Sequence, residues 1–390
     1  MLQSWNQLIE NFRHIGDRVA DITWNGDIPL SRQETYRQLM AAMAQGYLNM
    51  VYANPDLPDW TPTLNNVLNM AAPNPDFIYL YAAIRPGGTY RISGYRGSSL
   101  FAYINQGRDF YANTKTPGPA LDGINLDDMQ IGADGYFEIL VSPERPADVN
   151  GNWWRLHPDT NYFAVRTAAY DWLRETDPRL AIDKLDTPIA PRRLSAQEIN
   201  ERLIKLASWI ENATTIWFNH MNEMRSKDIV NRLEVYDYGS VGGFVGQVYL
   251  EGLYQLAEDE ALILETEIPE KSFYWSFLVT DDQFTTVDYM NRQSSLNPAQ
   301  IHVDSDGKFR AVISAGDPGV QNWLDTGGYT SGIIQGRWNQ CSSNPQPTLT
   351  KVKLDEVRGH LPDNTPVLDR QARDVQLRRR RVGAQLRRRW

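Results

Sequence analysis

Residues 271–338, KSFYWSFLVTDDQFTTVDYMNRQSSLNPAQIHVDSDGKFRAVISAGDPGVQNWLDTGGYTSGIIQGRW, decide the fold. Aromatic and β-branched residues crowd into short runs such as FYWSFLV and KFRAVIS, and turn-forming residues separate them. Asp304-Ser305-Asp306-Gly307 has the opening spacing of a calcium loop. The chain then runs straight into an apolar stretch with no acidic ligand at a twelfth position, so the Asp-Gly pair reads as a hairpin turn. Three or four antiparallel strands follow from this block.

Upstream, FIYLYAAI, TYRISGYRG, SLFAYIN and GYFEILVS are further short β-rich runs, beginning at Phe77. NWWRLHPDTNYFAVRTAAYDW continues that sheet and is expected to pass into a short helix near Ala168. Prolines 178, 188 and 191 mark ETDPRLAIDKLDTPIAPRR as a linker or crossover. The first seventy residues read as helical, with Ser31 and Glu34 as a capping box. A second box, Ser195 with Glu198, opens a long helix. Its apolar stripe is Ile199, Leu203, Leu206, Ile210, Ala213, Trp217, His220 and Met224, at alternating three- and four-residue spacing. The Gln247–Leu256 stretch fits a helix or a strand. The expected class is α+β: antiparallel β-sandwich or jelly-roll-like sheets braced by the long helix, with helical additions at both ends. The expected divisions are 1–190, 191–270 and 271–390.

At 390 residues with 42% hydrophobic and 22% charged side chains, the chain has the composition of an ordinary globular protein. Twelve Trp and nineteen Tyr exceed what a core alone needs, and amphipathic rings suit pocket walls. The single cysteine, Cys341, excludes an internal disulfide and a thiolate metal cluster, which favours the cytoplasm. Neither an export signal nor a membrane span is expected. Net charge is −9, and an acidic body repels nucleic acid. The segment 369–390 runs the other way, with nine Arg against two Asp. It reads as a helix whose arginines dock on the acidic body, of this chain or of a second copy in a homo-oligomer. An RNA or anionic-lipid arm is the secondary reading.

Chemistry-bearing residues cluster in two places. Asp281 and Asp282 are neighbouring carboxylates that can share a proton or hold Mg²⁺, with Tyr289 and Arg292 close in sequence; capping the end of the FYWSFLV strand is the plainer reading. His220 and Glu223 project from the long helix, where a neutral imidazole can serve as a base; a core histidine bonded to a backbone carbonyl is the plainer reading there. Trp217, Tyr79, Trp323, Arg337 and Trp338 are candidate substrate-binding residues. Asp76 is expected to pair with Arg91 or Arg96, or to join a pocket rim. There is no nucleophile elbow, Walker loop, dinucleotide fingerprint or zinc-protease motif.

The pieces YWSFLVTDD, YMNRQSSLN, DSDGKFRAVIS, DPGVQNWLDTGG and GRW resemble the bacterial family described as domain of unknown function 1214. The resemblance covers about Lys271 to Arg381, and the 74–97 and 152–172 segments are similar to what precedes this domain in longer members. It implies a jelly-roll-like sandwich with helical additions and supplies no catalytic residue. Two function classes follow. One is an enzyme (lyase, isomerase or hydrolase) using acid–base or carboxylate–metal chemistry on an apolar, ring-containing small molecule such as a terpenoid or steroid-like compound. The other is a non-catalytic sandwich that binds a glycan or another ligand. An enclosed pocket holding a histidine or two carboxylates favours the first; a shallow aromatic groove favours the second.

Overall fold

The computed structural model describes residues 2–24, 28–188, 193–244 and 246–387. Alternation of apolar and polar residues drives the first half of the chain into nine strands. These are β1 (Thr61–Pro62), β2 (Phe77–Ala83), β3 (Tyr90–Tyr95), β4 (Phe101–Gly107), β5 (Ala120–Asn125), β6 (Tyr136–Ser142), β7 (Asn152–Arg155), β8 (Tyr162–Ala168) and β9 (Arg179–Lys184). They form two sheets, β1-β2-β8-β4-β5 and β7-β6-β3-β9. Ile92, Ile104, Phe137, Ile139, Phe163 and Val165 meet between them as one core. Each such side chain contributes roughly 1.5–3 kcal/mol by leaving water.

The second sandwich uses β10 (Glu234–Tyr236), β11 (Gln247–Gln255), β12 (Glu260–Glu267), β13 (Tyr274–Val279) and β14 (Ser295–Leu296). It is completed by β15 (Lys308–Ser314), β16 (Trp323–Asp325), β17 (Ser331–Asn339) and β18 (Thr348–Lys353). Its sheets run β10-β11-β17-β13-β14 and β16-β15-β12-β18, antiparallel except for the β15–β16 pairing. Trp275, Phe277, Phe309 and Trp338 interlock in its core, with Trp275 and Trp338 5.4 Å apart between ring centroids. Four α-helices are described: α1 (Leu2–Ile22), α2 (Pro29–Gly46), α3 (Ala196–Ser226) and α4 (Arg370–Leu386). The protein is therefore α+β with β-sandwich sheets and a long helix.

Several boundaries differ from the sequence-based expectation. The second sandwich begins at Glu234, because β11 and β12 pair with strands that lie beyond residue 271 and β10 pairs with β11. The expected linker contains β9, an edge strand paired with β3 over Arg179–Lys184, so the prolines flank a strand. Ile189, Ala190, Pro191 and Arg192 lie outside the described residues. After Ala168 the chain makes a turn, not a helix: Glu175 accepts from the backbone of Tyr170 and Asp171 and closes it locally. The Gln247–Leu256 ambiguity resolves to a strand. Ser31 does not cap α2, because Pro29 starts the helix earlier and Ser31 instead donates to the Trp24 carbonyl. Ser195 and Glu198 do form the complete capping box of α3.

The stripe of α3 packs Leu206, Ile210 and Ala213 against Leu8, Ile15 and Val19 of α1 and Leu39 of α2. Helix α4 lies across both sandwiches. Arg373 pairs with Asp317, Arg380 donates to Ser295 and the Tyr289 carbonyl, and Arg387 pairs with Asp177. The basic tail thus docks on its own chain. No described helix is long and apolar enough to cross a membrane.

Candidate functional site

Strand β17 reads Ile334-Gln335-Gly336-Arg337-Trp338-Asn339. Because side chains alternate along a strand, Ile334 and Trp338 enter the core while Gln335, Arg337 and Asn339 share the opposite face. Its neighbour β11 does the same: Leu250 enters the core, and Gln247, Tyr249 and Glu251 turn away. The register sets Glu251 opposite Gln335, Tyr249 opposite Arg337 and Gln247 opposite Asn339. A polar face normally meets water. Here it faces helix α3 and the first sandwich, and all these side chains except the half-buried Tyr249 are buried.

Between the two sandwiches lies a cavity of about 960 Å³. Phe77, Tyr79, Asn105, Tyr162 and Arg166 form its wall on the first sandwich; Tyr249, Gln335 and Arg337 form the facing wall. Helix α3 contributes Asn212, Thr215, Trp217 and His220, and the segments around Pro117 and Gly242 form part of the lining. Trp217 stacks on Phe284 at 5.1 Å, so much of the cavity surface is aromatic.

Three polar groups converge at the His220 corner. His220 Nε2 lies 2.8 Å from Glu251 Oε2, and the Tyr238 hydroxyl lies 2.6 Å from the same oxygen and 3.0 Å from Nε2. Gln335 Nε2 donates to the other carboxylate oxygen. Glu251 has no exposed surface. Burial alone would push its carboxyl up, but the His220 contact and the Tyr238 and Gln335 hydrogen bonds outweigh it and hold the group below the ordinary glutamate value. Burial, with the Glu251 charge beside it, pushes the Tyr238 phenol well up, so Tyr238 stays a neutral donor. A carboxylate at Nε2 favours the neutral tautomer with its proton there, in which Nδ1 is the basic nitrogen. Nδ1 has no hydrogen-bond partner among the described residues.

The facing walls are cationic. Arg337 is 4% exposed, donates through Nη2 to the Ala72 carbonyl at 3.3 Å, and its Nη1 has no partner. Arg166 donates to Asn105 and to the Gly242 carbonyl. Burial pushes the Tyr79 phenol up, and the charges of Arg337 and Arg166 oppose that.

Of the residues picked from sequence, His220, Trp217, Tyr79 and Arg337 line the cavity. The others do not. Asp281 Oδ1 accepts the backbone amides of Gln283 and Thr285 in a buried turn. Asp282 pairs with Arg225 at 2.6 Å and accepts from Ser331. The two carboxylates are thus engaged separately, which is the strand-end role and not a shared Mg²⁺ site. No group of three His, Cys, Asp or Glu suited to a metal occurs among the described residues. Glu223 is exposed and bound to Lys227, because it points off the solvent side of α3. Arg292 pairs with Asp325, and Tyr289 packs with Trp172 under α4. Trp338 is core, and Trp323 lies under the Arg373 guanidinium at 5.1 Å. Asp76 pairs with neither Arg91 nor Arg96, which take Asp183 and Asp127; it accepts from Tyr274, Trp172 and Asn297. Glu251, Tyr238, Gln335 and Arg166 were missed. The available signal was a charged or amide side chain inside an otherwise apolar strand, at Glu251, Gln335 and Arg166; Tyr238 lies outside the strands and carried no such signal.

Fold and site together define a two-sandwich α+β protein with a cavity between the sandwiches and a histidine–carboxylate pair in its wall. The model of the family described as "Protein of unknown function (DUF1214)" matches the chain over residues 88–171 and 255–332, one segment in each sandwich. The match therefore reaches further upstream than the Lys271–Arg381 resemblance and stops earlier. His220, Glu251 and Arg337 lie outside both segments, and Arg166 lies inside the first. A crystal structure of an uncharacterized protein from Burkholderia cenocepacia is similar at 26% identity and a TM-score of 0.84, covering 90% of this chain and 97% of that one. A Vibrio parahaemolyticus protein is similar at 14% identity and a TM-score of 0.47, covering 81% of this chain and 98% of that one. The comparison with curated proteins gives no match.

Proposed function

We propose that the protein is a small-molecule enzyme that moves a proton on an apolar, ring-containing guest held in the cavity between its sandwiches. The observation that carries this reading is the His220–Glu251 pair at 2.8 Å in the wall of a cavity of about 960 Å³. A buried carboxylate that has already accepted three hydrogen bonds is a poor partner for a guest but a good support for an imidazolium. In this reading His220 Nδ1 takes a proton from a carbon acid, Glu251 steadies the resulting charge, and the same nitrogen returns the proton. Isomerase and lyase reactions both begin this way. The aromatic lining, including Phe77, Tyr162 and Trp217, supplies the ring-binding surface. This narrows the sequence-based expectation to acid–base chemistry, since Asp281 and Asp282 have other partners.

The test is solvent deuterium uptake. Alicyclic and steroid-like ketones are incubated with the protein in D₂O, and exchange is read by mass spectrometry. Exchange should occur with wild type and fall by roughly 10²–10⁴-fold in His220→Gln, the usual contribution of a positioned base. Unchanged exchange in a folded His220→Gln protein would sink the assignment. Binding without exchange would turn the reading to the ligand-binding class. A reducing compartment, the cytoplasm, is part of the proposal on the strength of a single, partly buried cysteine; recovery of the protein outside the cytosolic fraction of its own cells would remove that part.

A further inference from the structure

We infer that the guest carries a carboxylate, and that Arg337, with Arg166 on the facing wall, is its binding site. The inference rests on the cavity reading above but not on catalysis by His220. Arg337 is a buried guanidinium whose polar contacts among the described residues are a single carbonyl at 3.3 Å, with the Tyr249 ring 5.6 Å away and an Nη1 that no described residue satisfies. Among the described residues neither Arg337 nor Arg166 forms an ion pair, whereas the buried arginines 373, 310 and 387 all do. An uncompensated buried cation is costly to fold around, and the cost is recovered when an anion enters. Trp217 Nε1 is a second buried donor on the lining without a partner. One acceptor on the lining, Gln335 Oε1, is also without a partner, but the only charged orphan there is the Arg337 donor, and a charged donor calls for an anionic oxygen acceptor on the guest.

Charge decides between anion types. The two guanidiniums are offset by the Glu251 carboxylate behind His220, and the other charged side chains on the lining, Lys115 and Glu211, are of opposite sign, so the wall suits a single negative charge better than a phosphate dianion or a diphosphate. A planar guanidinium also matches the two oxygens of a carboxylate. The proposed ligand class is therefore a ring-bearing monocarboxylic acid, its rings among the aromatic side chains and its acid at Arg337.

Titration calorimetry of the full chain with naphthoate, naphthylmethanol and naphthyl phosphate tests this without any turnover. The acid should bind at least tenfold more tightly than the alcohol. That preference should vanish in Arg337→Gln and weaken in Arg166→Gln, while the alcohol's own affinity stays unchanged. His220→Gln should keep the acid preference, which separates this claim from the catalytic one. Equal binding of acid and alcohol, an acid preference that survives Arg337→Gln, or tighter binding of the phosphate would overturn it. If Arg337→Gln does not fold, Arg337→Lys and Arg166→Gln carry the test: both should lower the acid affinity and leave the alcohol's alone, and no change in either overturns the proposal.

Discussion

Asp281 is a buried carboxylate that forms no ion pair among the described residues, and it lacks the three side-chain donors that converge on Glu251. Burial raises its pKa to about 7, against the smaller opposing effect of the Thr285 and Gln283 amides. The folded state therefore keeps a proton that the unfolded chain releases near its ordinary value. Stability falls as pH rises from about 4 to about 7, and the penalty is complete above that range. Asp281→Asn removes the titration. Both amides already bond to the same oxygen, Oδ1, so an asparagine carbonyl can replace it. The variant should match wild type near pH 4 and exceed its stability at pH 8 by on the order of 2–4 kcal/mol, read by urea unfolding at both pH values. Equal stability at pH 8 would show that the wild-type carboxylate is not held protonated. Glu251 is equally buried yet stays ionised, because three donors converge on it.

Strand β11 shows how one element makes both core and site. Glu251 faces His220, and the next residue, Gly252, allows the Arg232 carbonyl to approach so closely that an added Cβ would lie 1.8 Å from it. Without that approach the chain after α3 could not lie on β11, where Leu253 donates to Ile229 and Asn231 donates to Leu253. Gly252→Ala should cost about 1–3 kcal/mol or more, since the obstacle is backbone and cannot rotate away. Gly359→Ala, with nothing within 4 Å of its added Cβ, is the control and should be near neutral. Denaturant midpoints for the two variants check this, and a harmless Gly252→Ala would mean that the strand can shift. The same element marks where sequence reading stopped. Strands such as β2, β6, β13 and β15 were readable because apolar and aromatic runs have few other fates. The capping box of α3 was readable because its two partners are three residues apart. Glu251 and Gln335 become neighbours only through a register spanning eighty-four positions, and the polar face they share is covered by helix α3 and the first sandwich. His220 could be picked as a scarce residue on a helix stripe, but its carboxylate could not.

Two sandwiches with a cavity between them need something to hold them at a fixed spacing, and the joint is polar as well as apolar. Phe77 and Phe101 of the first sandwich pack on Tyr274 of the second, and Asp76 accepts from Tyr274 and Asn297 across the same joint. Helix α4 then crosses from one body to the other. Arg373 and Arg380 hold the second sandwich, while Arg387 reaches Asp177 at 2.9 Å and the Asp76 carbonyl at 2.8 Å in the first. The Arg387 and Asp177 side chains are 4% and 2% exposed, so removing one leaves the other as a buried, unpaired group. Arg387→Met should therefore destabilise the protein by about 3–5 kcal/mol, far more than loss of an exposed pair such as Arg378–Asp374. Adding Asp177→Asn to Arg387→Met should restore part of that loss, because the stranded charge is gone. The clamp joins the two sandwiches that wall the cavity, so the single variant should weaken guest binding even where it remains folded. A double-mutant cycle by urea unfolding, with calorimetry on the folded fraction, reads both effects. If Arg387→Met cost under about 0.5 kcal/mol, the range of ordinary surface changes, the tail would be an appendage and the spacing of the sandwiches would rest on the aromatic joint alone.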